Sequence, residues 1–260
     1  MSAGGSAGLN RVKELLRTGK PTFGLFATIP GVQVVQVLAS AGFDWVIIDQ
    51  EHAPIDMGSA HAMIVATAGT KTVPFVRIPW THPWQAKTVM DLGALGVCFP
   101  MICSAEQAAQ AVRSVRYPPV GDRFWGPFYA PIRWGRSMPD YIEQAQNDVL
   151  CIATIEHPTA VDNIDEIAAT PGLDLAFIGP GDLAMTMGIP GQFDHPKFKE
   201  AVSRAEAGLS KSHVALGGVA RTADQAKQML DRGYRALILG GFDWMLLQQA
   251  GRKLLDEVRR

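Results

Sequence analysis

Four apolar runs in this chain end in groups that do acid, base or ligand chemistry. WVII leads into Asp49, Gln50, Glu51 and His52; VPFV into Arg77; CIATI into Glu156 and His157; and LAFI into GPGD with Asp182. A charge that follows an apolar run is drawn out of water unless it is paired or holds a ligand. Glu156 and Asp182 therefore read as two carboxylates facing one mouth, where a hard divalent cation such as Mg2+ or Mn2+ removes their repulsion and water and substrate oxygens complete its octahedron. The alternative is that each pairs with a Lys or Arg on a rim. Arg77 carries a planar fork that matches a carboxylate or a developing enolate oxygen; it reads equally as a structural partner of Glu51 or Glu156. His52 offers an imidazole, a side-chain type suited to general base work, with Asp91 in KTVMDLG as the carboxylate that orients it. Against this stands a purely structural, hydrogen-bonded histidine.

These groups need elements to position them. Eight short runs rich in Val, Ile, Phe and Leu alternate with amphipathic stretches: Thr22 to Thr28, Trp45 to His52, Thr72 to Pro79, Gly96 to Ile102, Val149 to Glu156, Leu175 to Asp182, Val214 to Val219 and Ala236 to Phe242. The pattern predicts parallel strands buried on both faces, alternating with helices. Helix starts are marked by Ser104 with Gln107 and by Thr222, and a stop by Gly233. Eight β/α units predict a single (β/α)8 TIM barrel over residues 1–260, with an N-terminal extension and helix at 1–20 and an inserted loop region at 117–147. An open doubly wound sheet would carry a glycine-rich turn after its first strand; here ATIPGVQ follows instead. In a barrel the catalytic side chains come from the carboxyl ends of the strands, where the polar groups above fall. The insert holds RFWGPFYAPIRWG, whose Phe124, Trp125, Phe128, Tyr129 and Trp134 read as a lid over substrate or as a contact with another subunit.

Composition narrows the function. The chain has 260 residues with 24 basic and 25 acidic side chains, a formal charge of −1. That balance offers no phosphate-neutralising surface, so neither nucleic acid nor an anionic membrane is expected as a partner. Apolar residues make up 47%, enough for a large core and too many for disorder. The absence of a secretory pattern at the N-terminus and the odd count of cysteines (Cys98, Cys103, Cys151) lead to the expectation of a cytoplasmic protein without disulfides or zinc.

The strings IIDQEHAP, PFVRIP, TIEHPTAVDNIDEI and DLAFIGPGDLAMTMG, in this order and spacing, resemble the HpcH/HpaI aldolase family from about Phe23 to the C-terminal helix. The resemblance implies a metal-dependent class II aldolase, a carbon–carbon lyase. Such an enzyme forms or cleaves 4-hydroxy-2-oxoacids through the metal-bound enolate of pyruvate or hydroxypyruvate and an aldehyde. Carried over by motif, Glu156 and Asp182 ligate Mg2+, Mn2+ or Co2+, Arg77 holds the enolate oxygen and His52 is the acid/base, oriented by Asp91. Gly181 and Asp182 offer backbone N–H groups to the ketoacid carboxylate. The family implies a homo-oligomer, a hexamer built as a trimer of dimers with the C-terminal helix exchanged between subunits. Two departures bear on substrate choice: Thr154 stands where relatives often have Gln, and Phe124 and Trp125 stand where they have a glycine-rich loop. Thr154 and Trp125 are therefore read as substrate-binding positions. The competing readings are oxaloacetate decarboxylation, the enolate chemistry of macrophomate synthase, and a non-catalytic ketoacid-binding barrel.

Overall fold

A computed structural model of the chain describes residues 8–259; the first seven residues of the expected N-terminal extension and the final arginine lie outside the described residues. Eight parallel strands close a barrel in sequence order: β1 (Thr22–Ala27), β2 (Trp45–Asp49), β3 (Val73–Arg77), β4 (Gly96–Phe99), β5 (Leu150–Ile155), β6 (Leu175–Ile178), β7 (Ala215–Ala220) and β8 (Ala236–Phe242). All eight expected strands are present. Helix α1 (Arg11–Arg17) precedes them, and α2 (Val32–Ser40), α3 (Met57–Ala66), α4 (Pro83–Asp91) and α5 (Ala105–Val115) follow the first four strands in turn. The insert is partly helical, as α6 (Ala130–Trp134) and α7 (Met138–Asp148). Then come α8 (Pro158–Asp162) and α9 (Ile164–Ala168) after β5, α10 (Pro180–Thr186) and α11 (Pro196–Ser210) after β6, α12 (Ala223–Asp231) after β7, and α13 (Asp243–Val258). The expected starts at Ser104 and Thr222 are N-caps, each side chain accepting from the backbone N–H three residues on.

The amino end of the barrel is plugged by aromatic rings. Trp45 packs against Phe75 at 5.9 Å and Phe177 at 5.6 Å between centroids. Glycines on neighbouring strands make the room. A Cβ on Gly24 would lie 2.0 Å from the Trp45 ring, one on Gly96 2.4 Å from Phe75, and one on Gly217 2.5 Å from Phe177. The Trp45 indole donates to the Thr22 hydroxyl at 3.1 Å, so its polar edge is satisfied in the core. Helix α1 covers this end: its N-cap Asn10 is buried and donates to the carbonyls of Leu95 and Asp148 at 2.9 and 2.8 Å.

Two expectations change here. Asp182 does not end a strand. β6 stops at Ile178, and Pro180, whose fixed φ and missing N–H suit the first helical position, starts α10, placing Asp182 in its first turn. Within one chain Asp91 does not approach His52. It is the last residue of α4, which leads back to the amino ends of the strands, whereas His52 lies beyond the carboxyl end of β2.

Asp91 instead belongs to the insert. Its Oδ1 accepts from Arg123 at 3.0 Å and its Oδ2 lies 3.1 Å from Lys87. Arg123 has a fully buried side chain, stacked 4.4 Å over Tyr117, with the Tyr141 hydroxyl at 3.4 Å. The rest of the insert lies along the flank of α3 and α4. Arg133 donates to Thr67 and Trp134 to the Gly93 carbonyl, Phe124 stacks on Trp84, and Tyr129 sits 5.4 Å from His61. The aromatic loop is thus no lid over its own barrel mouth, and Trp125, 64% exposed with Phe128 against its edge, lies on the outer flank. Asp91→Ala strands the Arg123 charge in the interior, and removing one partner of a buried pair costs about 3 kcal/mol. Equilibrium denaturation should show that loss; full stability with abolished catalysis would return Asp91 to the chemistry.

Candidate active site

Register brings the cation to its partner. Asp49 and Arg77 are paired positions of β2 and β3, and Cys98 is the partner of Arg77 on β4. Arg77 grips Asp49 with two nitrogens, Nε to Oδ1 at 2.9 Å and Nη2 to Oδ2 at 2.6 Å, and both residues are buried. Its third nitrogen, Nη1, lies 3.2 Å from Glu51 Oε2, close enough for charge attraction but outside hydrogen-bond alignment, which leaves that oxygen without a donor. The guanidinium also sits 4.4 Å over the Phe26 ring. Burial opposes its charge, but Asp49 outweighs that and holds it above its ordinary value, so it is a permanent cation. The structural alternative for Arg77 is therefore realised in part: Asp49 is the principal partner, Glu51 the second, and the Nη1 edge is the one not saturated.

Glu156 follows β5 directly and is buried. Its Oε1 accepts from the Met101 N–H at 2.7 Å and the Thr154 hydroxyl at 2.6 Å. Thr154 is buried and also lies 3.2 Å from the Phe99 carbonyl, so its hydroxyl is engaged by the protein. Asp182 is exposed in the first turn of α10, and among the described residues its carboxylate has no partner. Thr186 ties the two together, its hydroxyl reaching the backbone carbonyls of Glu156 at 3.1 Å and Asp182 at 2.8 Å. Gly181 has open space where a Cβ would stand, and the first-turn N–H groups of α10 lack helical acceptors.

His52 is largely exposed, with Nε2 3.7 Å from Glu51 Oε2. It lines a cavity of about 490 Å3 with Asp49, Thr28, Ile29, Phe242 and Trp244. Within the chain Glu51 is the carboxylate beside it. Three other histidines have structural work: His82, His157 and His195 are N-caps of α4, α8 and α11, each accepting through Nδ1. A larger cavity of about 610 Å3 opens between α11 and α12 on the flank and holds none of these groups.

The donor set fits a small divalent cation. No cluster of three or more His, Cys, Asp or Glu side chains suited to a metal occurs among the described residues, so a Zn-type cage is not built here. The free Oε2 of Glu156 and the unpartnered carboxylate of Asp182 supply two hard anionic oxygens, the number a mostly solvent- and substrate-ligated Mg2+ or Mn2+ needs. Burial pushes the Cys98 thiol well up, and burial with Glu156 nearby raises Cys103.

Glu51 carries a pH signature. Burial raises its carboxyl above the ordinary value, opposed by Arg77 and His52 and reinforced by Glu156 and Asp49. The folded state then holds the proton more tightly than the unfolded chain, so this contribution to stability is fully present below about pH 4.5 and is lost as pH rises above it. Glu51→Gln should accordingly gain stability relative to wild type between pH 4.5 and neutrality, measured as denaturation midpoints; a pH-independent difference would contradict the assignment.

The sequence profile of the HpcH/HpaI aldolase/citrate lyase family matches residues 22–250. The hydroxypyruvate/pyruvate aldolase of Paraburkholderia phytofirmans is 36% identical over 255 residues, covering 96% of this chain and 98% of that protein. The 4-hydroxy-2-oxo-heptane-1,7-dioate aldolase of Escherichia coli is 35% identical over 246 residues, with 94% and 93% covered. A crystal structure of an HpcH/HpaI aldolase/citrate lyase family protein from Burkholderia cenocepacia superposes with a TM-score of 0.89 at 35% identity, covering 96% of this chain and all of that one. The chain belongs to the HpcH/HpaI aldolase/citrate lyase family, as a class II aldolase and hence a carbon–carbon lyase.

Proposed function

We propose that this aldolase joins pyruvate or hydroxypyruvate to an aldehyde, or cleaves the corresponding 4-hydroxy-2-oxoacid, at the mouth formed by Glu156, Asp182, Arg77 and His52. The observation that carries this reading is the pair of uncommitted carboxylate oxygens on Glu156 and Asp182 at the mouth that also holds the buried Arg77. A divalent cation bound there, Mg2+, Mn2+ or Co2+, supplies Lewis acidity toward the ketoacid oxygens. Arg77 presents Nη1 to the negative charge that develops on the keto oxygen as a proton leaves C3, and its grip on Asp49 keeps that nitrogen in place. The free N–H groups of Gly181 and Asp182 receive the ketoacid carboxylate. His52, steadied by Glu51, moves the proton at C3 in the enolising direction or the hydroxyl proton in cleavage. The aldehyde takes the cavity beside His52, whose walls include Ile29, Phe242 and Trp244. Within the chain the aromatic insert that suggested decarboxylation lies on the flank, and Thr154, which suggested a non-catalytic barrel, is bonded to Glu156.

Helix α13 leaves an apolar surface uncovered. Asp243 at its start is buried and accepts from the N–H groups of Thr28 and Ile29, but Leu247, Leu254, Leu255 and Val258 are 50 to 78% exposed. Phe124, Trp125 and Phe128 make a second exposed apolar patch on the insert. Exposed apolar side chains grouped together on a folded chain mark contact surfaces. They support a homo-oligomer in which α13 is exchanged between subunits, with the hexamer as the expected form.

Glu156→Gln and Asp182→Asn should each abolish exchange of solvent deuterium into the pyruvate methyl group while leaving the circular dichroism spectrum unchanged, and a chelator should do the same reversibly. Undiminished exchange by metal-free protein would overturn the mechanism. Leu254→Glu combined with Leu255→Glu should shift the sedimentation distribution to smaller species; an unchanged distribution would remove α13 from the assembly.

A further inference from the structure

Glu156 is committed at one oxygen and free at the other. Oε1 accepts two short hydrogen bonds, from the Thr154 hydroxyl at 2.6 Å and the Met101 N–H at 2.7 Å. Oε2 has no hydrogen-bond partner among the described residues and lies toward Gly179, where an added Cβ would approach it to 3.1 Å. Both donors are held by the fold. Thr154 and Glu156 are two residues apart at the end of β5, so they share the inward face. Thr154 has one hydroxyl proton for two acceptors in reach, and the contact to Glu156 is shorter than the 3.2 Å to the Phe99 carbonyl. Met101 has φ of 54°, the one positive value at a non-glycine residue among the described residues. A left-handed backbone is unfavourable for a residue with a Cβ, and such conformations persist where the surroundings enforce them, often at functional sites. Here the conformation accompanies an N–H aimed at a carboxylate.

We infer that Thr154 and the left-handed Met101 backbone form a clamp that makes Glu156 a one-oxygen ligand, presenting Oε2 alone to the cation. This rests on the cation site proposed above and gives Thr154 a positioning role in place of the substrate contact expected from the sequence. The clamp also selects among cations. Ca2+ accepts carboxylates through both oxygens and tolerates seven or eight ligands, whereas Mg2+ and Mn2+ keep octahedral sites served by single oxygens. A clamped Oε1 removes the two-oxygen mode and so disfavours Ca2+.

Thr154→Val keeps the shape of the side chain and deletes the donor; Thr154→Ser keeps the donor. Titration of metal-free protein with Mn2+, monitored by the electron paramagnetic resonance of the free ion, should show binding weakened about tenfold in Thr154→Val and close to wild type in Thr154→Ser, the usual scale for loss of a group that orients a ligand. Competition with Ca2+ should become stronger in Thr154→Val, and a crystal structure of that variant should show Glu156 Oε1 away from the Met101 N–H. Wild-type Mn2+ affinity in Thr154→Val, or Oε1 still seated on Met101, overturns the clamp. Glu156→Gln separates the two readings. If it binds Mn2+ no differently from wild type, the cation site itself fails and the clamp with it; if it loses Mn2+ while Thr154→Val does not, only the clamp fails.

Discussion

The bidentate pair between Arg77 and Asp49 is the interaction on which the site depends. Two ions this deeply buried lose much of their hydration, and their attraction offsets that loss only when geometry is good and few hydrogen-bonding positions are wasted. The barrel supplies the geometry through register, since Asp49 and Arg77 sit opposite each other on adjacent parallel strands. With Nε and Nη2 committed to Asp49, only the Nη1 edge is left to meet Glu51 or a ligand oxygen. The cation is thus aimed by its partner rather than by its own long side chain. Asp49 further accepts the Glu51 N–H at 3.1 Å, so the same carboxylate that orients Arg77 also shapes the turn leading to His52.

The fold was legible because burial on both faces leaves a plain trace. Continuous runs such as WVII and LCIATI can only be covered on both sides in a sheet wrapped by helices, and all eight such runs are strands. Their ends were less legible. Apolar content does not distinguish the last strand residue from the first helical one, and Pro180, the signal that Asp182 lies in a helix, is ambiguous when read after an apolar run. The partnership of Asp49 with Arg77 had a signal, a charge closing each of two apolar runs, but nothing in composition says which strand lies opposite in which register.

Asp91 and Trp125 show a different limit. Both lie in segments whose direction relative to the barrel is fixed only once the strands are placed: α4 and α5 run back toward the amino ends, so the segments after them begin away from the mouth. A histidine and an aspartate that suit each other chemically suggest a dyad, while within the chain Asp91 meets Arg123 and Lys87 instead. Met101 was beyond sequence reading altogether, because a methionine carries no mark of a left-handed φ. The place of Glu156, directly after a strand, was legible through the contrast of a charge at the close of an apolar run.

The aromatic plug of Trp45, Phe75 and Phe177 makes the barrel a blind well. Glycines at Gly24, Gly96 and Gly217 let the rings fill the lower interior, and α1 with Asn10 seals the floor beneath them. Any two molecules that meet over Glu156 and Arg77 therefore share a single entrance, and the one seated against the buried groups must arrive before, and depart after, the one above it. Traffic through such a well is sequential by construction, so an ordered kinetic pattern arises from the shape of the vessel without a moving gate.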